Sequence, residues 1–214
     1  ITDIVGIRVG HAQDEKALTG CTVVLCDTPT VGGVDKRGGS PSSRQTDQLD
    51  TIRSVNEINA VVLSGGSAFG LDSASGVVRY LEERGIGFIT PAGPVPIVPA
   101  AILYDLGLGK SDIRPDAEMG YQASLNASGG KVLEGNVGAG CGATIGKILG
   151  MDLDGPAGDK GAYVFAPVAE QMVIDKDNVF SWNSFEDKPK DHRTIGFLSR
   201  VSPDGKYVLT REAR

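Results

Sequence analysis

Residues 60–76 restrict the fold more than any other stretch of the chain. They read Ala-Val-Val-Leu-Ser-Gly-Gly-Ser-Ala-Phe-Gly-Leu-Asp-Ser-Ala-Ser-Gly. The apolar run from Ala60 to Leu63 suits a short strand, and Ser64-Gly65-Gly66-Ser67 has turn chemistry. Leu71, Ala74, Val77, Val78 and Leu81 then recur at helical spacing. Strand, glycine turn and helix in direct succession aim free backbone N–H groups and the positive end of the helix dipole into the turn. The expectation is a site for negative charge, either a bound anion or a developing oxyanion. The helix is expected from about Ala68 to Arg84, with Gly85 as its stop.

The 214 residues allow one large domain or two small ones, each with a real core. The 30 glycines are about twice average usage and fall between periodic segments, so they indicate tight packing and sharp turns. A net charge of −6 argues against nucleic acid or an anionic membrane as partner. No window reaches the roughly 18 apolar residues of a membrane span. Three cysteines, with Cys21 and Cys26 inside an apolar run, and two histidines make no metal-ligand spacing. Buried thiols in a reducing compartment are expected, with no metal. The opening Ile-Thr-Asp-Ile lacks a basic, apolar leader, which makes the cytoplasm the expected location.

Further strands are expected at Ile4–Val9, Thr22–Leu25, around Val34-Asp35, and at Ile86–Thr90. Residues 41–58 read as a loop with a short helix. Pro91, Pro94 and Pro96 break regular structure, and a helix follows Pro115 from Asp116 to Ser128. Beyond the glycine-dense stretch 130–150, Ala162–Val168, Gln171–Ile174, Val179–Trp182 and Lys206–Thr210 read as strands and 183–196 as loop. Helices and strands alternate without regular βαβ spacing, so a layered α/β or α+β domain fits better than a doubly wound sheet.

Gly65-Gly66-Ser67 invites a nucleophile elbow, but position 69 is Phe where that motif needs Gly. The base would have to be His192, in a charged run. Residues 134–147 resemble a phosphate loop and fail its spacing, because Cys141 stands at the first glycine position and Ile148 follows Lys147. What remains there is alternating glycine that lets backbone approach closely, ending in one lysine. Tyr104, inside an apolar run, reads as a core tyrosine, and its neighbour Asp105 as a turn or cap residue. Turns, donors, a lysine and a tyrosine are present, without a convincing nucleophile or base. Either the chain is a binding protein or the reactive group lies elsewhere.

The segments Leu18-Thr-Gly20-Cys-Thr-Val-Val, Val34-Asp-Lys-Arg37-Gly-Gly39, 63–77, Pro94-Val-Pro-Ile-Val-Pro99-Ala-Ala-Ile-Leu-Tyr104-Asp, Pro115-Asp and 135–147 occur in that order. This pattern, over residues 1 to about 150, resembles the DmpA-type family of autoprocessed hydrolases. That family includes L-aminopeptidase/D-esterase-amidases, β-peptidyl aminopeptidases and nylon-oligomer hydrolases. The resemblance implies a four-layer αββα sandwich of the DmpA/ornithine-acetyltransferase type. It also implies a precursor that cuts itself into α and β chains, the β chain beginning with a Ser or Thr nucleophile. Residues 1–214 would then be a single-domain α subunit that completes its fold with the β subunit. The αβ units would assemble into an oligomer acting on a small peptide or amide, without cofactor.

By the same resemblance Tyr104 supplies an oxyanion-hole hydroxyl and Lys147 lines the active site. Gly65, Gly66, Ser67, Asn136 and Gly138 shape the substrate site. Two departures stand out. The family hairpin Asn is met here by Ile174 or, with a slip of one residue, by Asp175, which is the polar candidate. Ile102 and Leu103 stand where aminopeptidase members place an acid before the tyrosine, which favours an amidase tolerant of an uncharged chain. The rival readings are a non-enzymatic anion-binding module and an ornithine-acetyltransferase-like acyl transferase.

Overall fold

The computed structural model describes residues 1–35, 41–55, 57–145, 155–156, 196–201 and 208–213. Seven strands and two α-helices occupy its N-terminal part: β1 (Ile7–Asp14), β2 (Thr19–Val31), β3 (Ser43–Arg44), β4 (Glu57–Ser64), α1 (Ser73–Glu82), β5 (Phe88–Thr90), β6 (Gly93–Val95), β7 (Ala100–Ile102) and α2 (Ala117–Leu125). Two short pairs follow, β8 (Thr144–Ile145) with β9 (Gly155–Pro156), and β10 (Gly196–Val201) with β11 (Val208–Ala213).

The main sheet runs β1-β2-β4-β7-β3. β1, β2 and β4 are antiparallel neighbours, β4 and β7 run parallel, and β3 closes the edge antiparallel to β7. Strand alternation sends Ile58, Ala60, Val62 and Ser64 to the buried face of β4. The register sets Val23 against Val62 and Leu25 against Ala60, and these side chains join Ala74, Val77 and Leu81 of α1 and Ala123 of α2 in one core. Burying each Val or Leu contributes roughly 1.5–3 kcal/mol. The helices therefore cover one face of the sheet. On the other, Val24, Val61 and Leu63 are half-buried.

The α/β class agrees with the sequence, and among the described residues one sheet and one helical layer of the expected sandwich are seen. The boundaries differ for physical reasons. Six residues of 3-10 helix, Ser67–Asp72, precede α1, because Gly66 and Ser67 are left-handed and the chain needs a turn to recover α geometry. α2 starts where expected: the Asp116 side chain accepts from the Met119 N–H at 2.9 Å as its N-cap. β1 reaches Asp14, since all its residues find partners on β2, whereas Val34-Asp35 lies outside any strand. Pro94 does not stop β6, which among the described residues pairs only with β5. Within the stretch expected to be loop, β10 begins at Gly196, and β11 runs to Ala213. The strands expected at Ala162–Val168, Gln171–Ile174 and Val179–Trp182 lie outside the described residues.

Candidate active site

The parallel strands β4 and β7 end side by side, with Ser64 opposite Ile102. The carboxyl ends of parallel strands are where ligands gather in α/β sheets. Here the two chain continuations clasp each other. The Leu103 N–H donates to the Ser64 carbonyl at 2.9 Å, and the Ser67 N–H donates back to the Leu103 carbonyl at 3.0 Å. Two residues on, Asp105 turns its carboxylate inward and is 3% exposed. Its Oδ1 accepts the Gly66 N–H at 2.7 Å, and its Oδ2 accepts the Thr19 hydroxyl at 2.7 Å. The Gly65 N–H donates to the Gly20 carbonyl at 2.8 Å.

These bonds correct one expectation. Of the turn's amides, that of Gly66 donates to the protein's own Asp105 carboxylate, while those of Gly65 and Ser67 donate to the carbonyls of Gly20 and Leu103. The N–H groups of Gly65, Gly66 and Ser67 are all taken within the fold and are not free for a substrate anion. The backbone explains the glycines: a Cβ on Gly65 would collide with Asp105 Oδ2 and lie 2.6 Å from Thr19 Oγ1. Ser67 shares the left-handed region, φ 54, without being glycine. A serine at positive φ on a strand-to-helix turn is the geometry of a nucleophile elbow. The base proposed for it, His192, lies outside the described residues.

The second glycine-rich stretch meets the first at Asp105. Gly138–Gly142 forms a short 3-10 helix lying against the strands where β1 turns into β2. A Cβ on Gly142 would lie 2.9 Å from Asp105 Oδ2 and collide with the Leu18 carbonyl. At the other end the Gly138 N–H donates to Gln13 Oε1 at 2.6 Å, and the Ala139 N–H donates to Thr22 Oγ1 at 3.1 Å. The Gly138 amide, like those of the first turn, is therefore occupied. Thr22 Oγ1 also lies 2.9 Å from His11 Nδ1, a hydrogen bond whose donor is set by the imidazole tautomer. Nε2 is buried, and desolvation, only partly opposed by the Leu133 backbone, holds His11 below the usual imidazole pKa. Asn136 is exposed on the same loop.

Tyr104 is 49% exposed, not a core residue. Successive residues of an extended segment face opposite ways, so an inward Asp105 leaves Tyr104 outward. Its hydroxyl is thereby offered to solvent from a backbone fixed on both sides to the glycine turn. Phe69, 57% exposed, stands on the 3-10 helix with the Arg114 guanidinium 3.8 Å above its ring. Pro115, next to Arg114, abuts the same turn, 2.9 Å from where a Gly66 Cβ would be. Lys147 and Asp175 lie outside the described residues. The sequence missed Asp105 and Thr19 as partners. The only local signal was an acidic residue beside an aromatic one, since the contact spans 86 positions. Among the described residues no helix is long and apolar enough to cross a membrane.

Known proteins are similar to this chain. The model of "Peptidase family S58" matches residues 1–150. An uncharacterized aminopeptidase of Mycobacterium leprae is 48% identical over 165 residues, covering 70% of this chain and 46% of the relative. A 6-aminohexanoate-oligomer endohydrolase of Kocuria sp. is 30% identical over 146 residues, covering 68% of this chain and 39% of the relative. The chain thus spans less than half the length of these relatives. The L-aminopeptidase D-Ala-esterase/amidase of Ochrobactrum anthropi, a variant of the Ntn hydrolase fold, superposes with a TM-score of 0.52 at 22% identity, covering 66% of this chain and 43% of that one. The matched span holds both glycine turns, Tyr104 and the buried carboxylate between them, and the chain belongs to peptidase family S58.

Proposed function

We propose that this chain is the α part of an N-terminal-nucleophile hydrolase that cleaves amide bonds in small peptides or peptide-like amides such as nylon oligomers. Residues 1–214 would form one domain, completed by a β chain cut from the same precursor, with αβ units assembling further. The reading rests on one observation: an exposed tyrosine is mounted on a backbone clamped at the carboxyl ends of β4 and β7 in a family S58 chain. The half-buried Val24, Val61 and Leu63 on the face of the sheet away from the helices favour a further layer packed there. The occupied amides of Gly65, Gly66 and Ser67 weigh against the anion-binding module.

In this reading the hydroxyl of a Ser or Thr at the start of the β chain attacks the substrate carbonyl. The α-amine of that same residue, titrating near neutrality, takes its proton. The carbonyl oxygen becomes an oxyanion, and Tyr104 donates its phenolic proton in a hydrogen bond to it. Lys147 would line the pocket, and Asp175 would stand near the position of the family asparagine, where an ionised carboxylate accepts and does not donate. Apolar Ile102 and Leu103 before the tyrosine suit a substrate whose amine needs no acidic partner.

Intact-mass analysis of the purified whole protein tests the scheme. Two chains are expected, the smaller beginning with Ser or Thr, together with hydrolysis of an aminoacyl anilide or of a 6-aminohexanoate oligomer. Tyr104→Phe should lower kcat by about 10- to 1000-fold with the fold retained. A single uncut chain without amidase activity refutes the proposal.

A further inference from the structure

Asp105 is the one buried carboxylate among the described residues. A carboxylate is removed from water at high cost unless hydrogen bonds replace its hydration. Both replacements here come from distant segments, Gly66 and Thr19, at 2.7 Å each. Each partner adjoins a strained residue: Leu18 and Ser67 both have φ 54, in a region that L-residues avoid. Such conformations persist only where the surroundings over-determine them, and they gather at functional sites. The carboxylate also fills the space that the missing side chains of Gly65 and Gly142 leave between the two glycine turns.

We infer that Asp105 is the positioning residue of this site: its buried carboxylate ties the strained turns at Leu18-Thr19 and Gly66-Ser67 to the strand end carrying Tyr104, and so fixes where the phenol stands. This inference rests on Tyr104 acting as proposed above. Asp105 touches no substrate. Its effect on rate runs through the backbone it shares with Tyr104.

Two substitutions separate hydrogen-bond geometry from charge. Asp105→Asn keeps both bonds, with Oδ1 accepting from Gly66 and the amide N–H donating to Thr19, whose hydroxyl also accepts. Asp105→Leu keeps the branching at Cγ, with larger methyl groups, and loses both. Hydrolysis of an aminoacyl anilide by the whole enzyme should stay within about 10-fold of wild type in kcat for Asp105→Asn. It should fall roughly 100-fold for Asp105→Leu, with KM moved less than about 3-fold, at a temperature where circular dichroism shows both folded. Should Asp105→Leu fail to fold, Thr19→Val removes one of the bonds. It should lower kcat about 10-fold, and Thr19→Ser should restore it.

Equal losses in Asp105→Asn and Asp105→Leu overturn the inference, as does a loss confined to KM or a wild-type rate in Asp105→Leu. Tyr104→Phe, measured alongside, tells the failures apart. A wild-type rate there removes Tyr104 from the proposed oxyanion site, and this inference with it. A slow Tyr104→Phe with a fast Asp105→Leu removes only the inference.

Discussion

Gly76 of α1 and Gly120 of α2 set how closely the two helices cross, and alanine at either position should loosen the fold. On an isolated helix the same change would stabilise by about 1 kcal/mol, because Gly is the poorer helix former. Here a Cβ on Gly76 would lie 2.7 Å from both the Ala117 carbonyl carbon and the Tyr121 nitrogen, and closer still to the Ala117 oxygen. A Cβ on Gly120 would lie 2.7 Å from the Ser73 carbonyl carbon, and closer to its oxygen. Carbon atoms rest comfortably at about 3.5 Å or more, so the helices must part by roughly 1 Å. The obstacle is backbone, which cannot rotate aside, so the cost belongs at the upper end of the roughly 1–3 kcal/mol seen for overpacking. Parting the helices also opens the contacts of Ala74, Val77 and Ala123. After subtracting the gain in propensity, a net loss of about 2 kcal/mol is expected, or roughly 4–8 °C in Tm for a chain of this size. Urea unfolding of each variant, with unchanged slope, measures it. The double variant should lose less than the sum, because one separation accommodates both methyl groups. α2 begins just after Pro115, which abuts Gly66, so kcat should fall as well. A variant as stable as wild type, or more so, would refute the close crossing.

Two further outcomes follow from buried titratable groups. His11 has a folded pKa below its unfolded value near 6.5, so the unfolded chain binds more protons as the pH falls through that range. Stability should be full above about pH 6.5 and decline below it. His11→Asn, whose side-chain amide can still bond to Thr22, should flatten this acid limb in urea midpoints taken between pH 8 and pH 5; an unchanged limb assigns it to other groups. Burial pushes the Cys21 thiol up to about 12 and raises Cys26 and Cys141 also. Iodoacetamide at pH 8 should therefore leave Cys21 unmodified in the folded protein and label it in urea. Rapid native labelling of Cys21 would contradict its burial.

What the sequence disclosed was local. The strand ending at Ser64, the turn, the α-helical run Ser73–Glu82, the stop at Gly85, the cap at Asp116 and the family motifs were all legible, because each is governed by neighbours within a few residues. The occupants of the turn's donors were not. Gly66 and Thr19 meet across the chain on Asp105, and no spacing rule reports a contact between residues so far apart. Tyr104 was misjudged for the same reason. Its apolar neighbours suggested a core position, but beyond the end of β7 the inward place went to the acid and left the tyrosine exposed. The pairing of β5 with β6 escaped notice because three prolines outweighed the weak apolar signal of an isolated hairpin.

The bond from Thr19 to Asp105 closes a loop of 86 positions, with the β1–β2 corner at one end and the segment beyond β7 at the other. Contacts of such long reach form late, after the entropy of the intervening chain has been surrendered. A nascent or half-folded molecule therefore carries the same side chains without the arrangement that could make them reactive. In a protein proposed to break peptide bonds, including one of its own, assembly order is itself a safeguard: the chemistry waits until the architecture is whole.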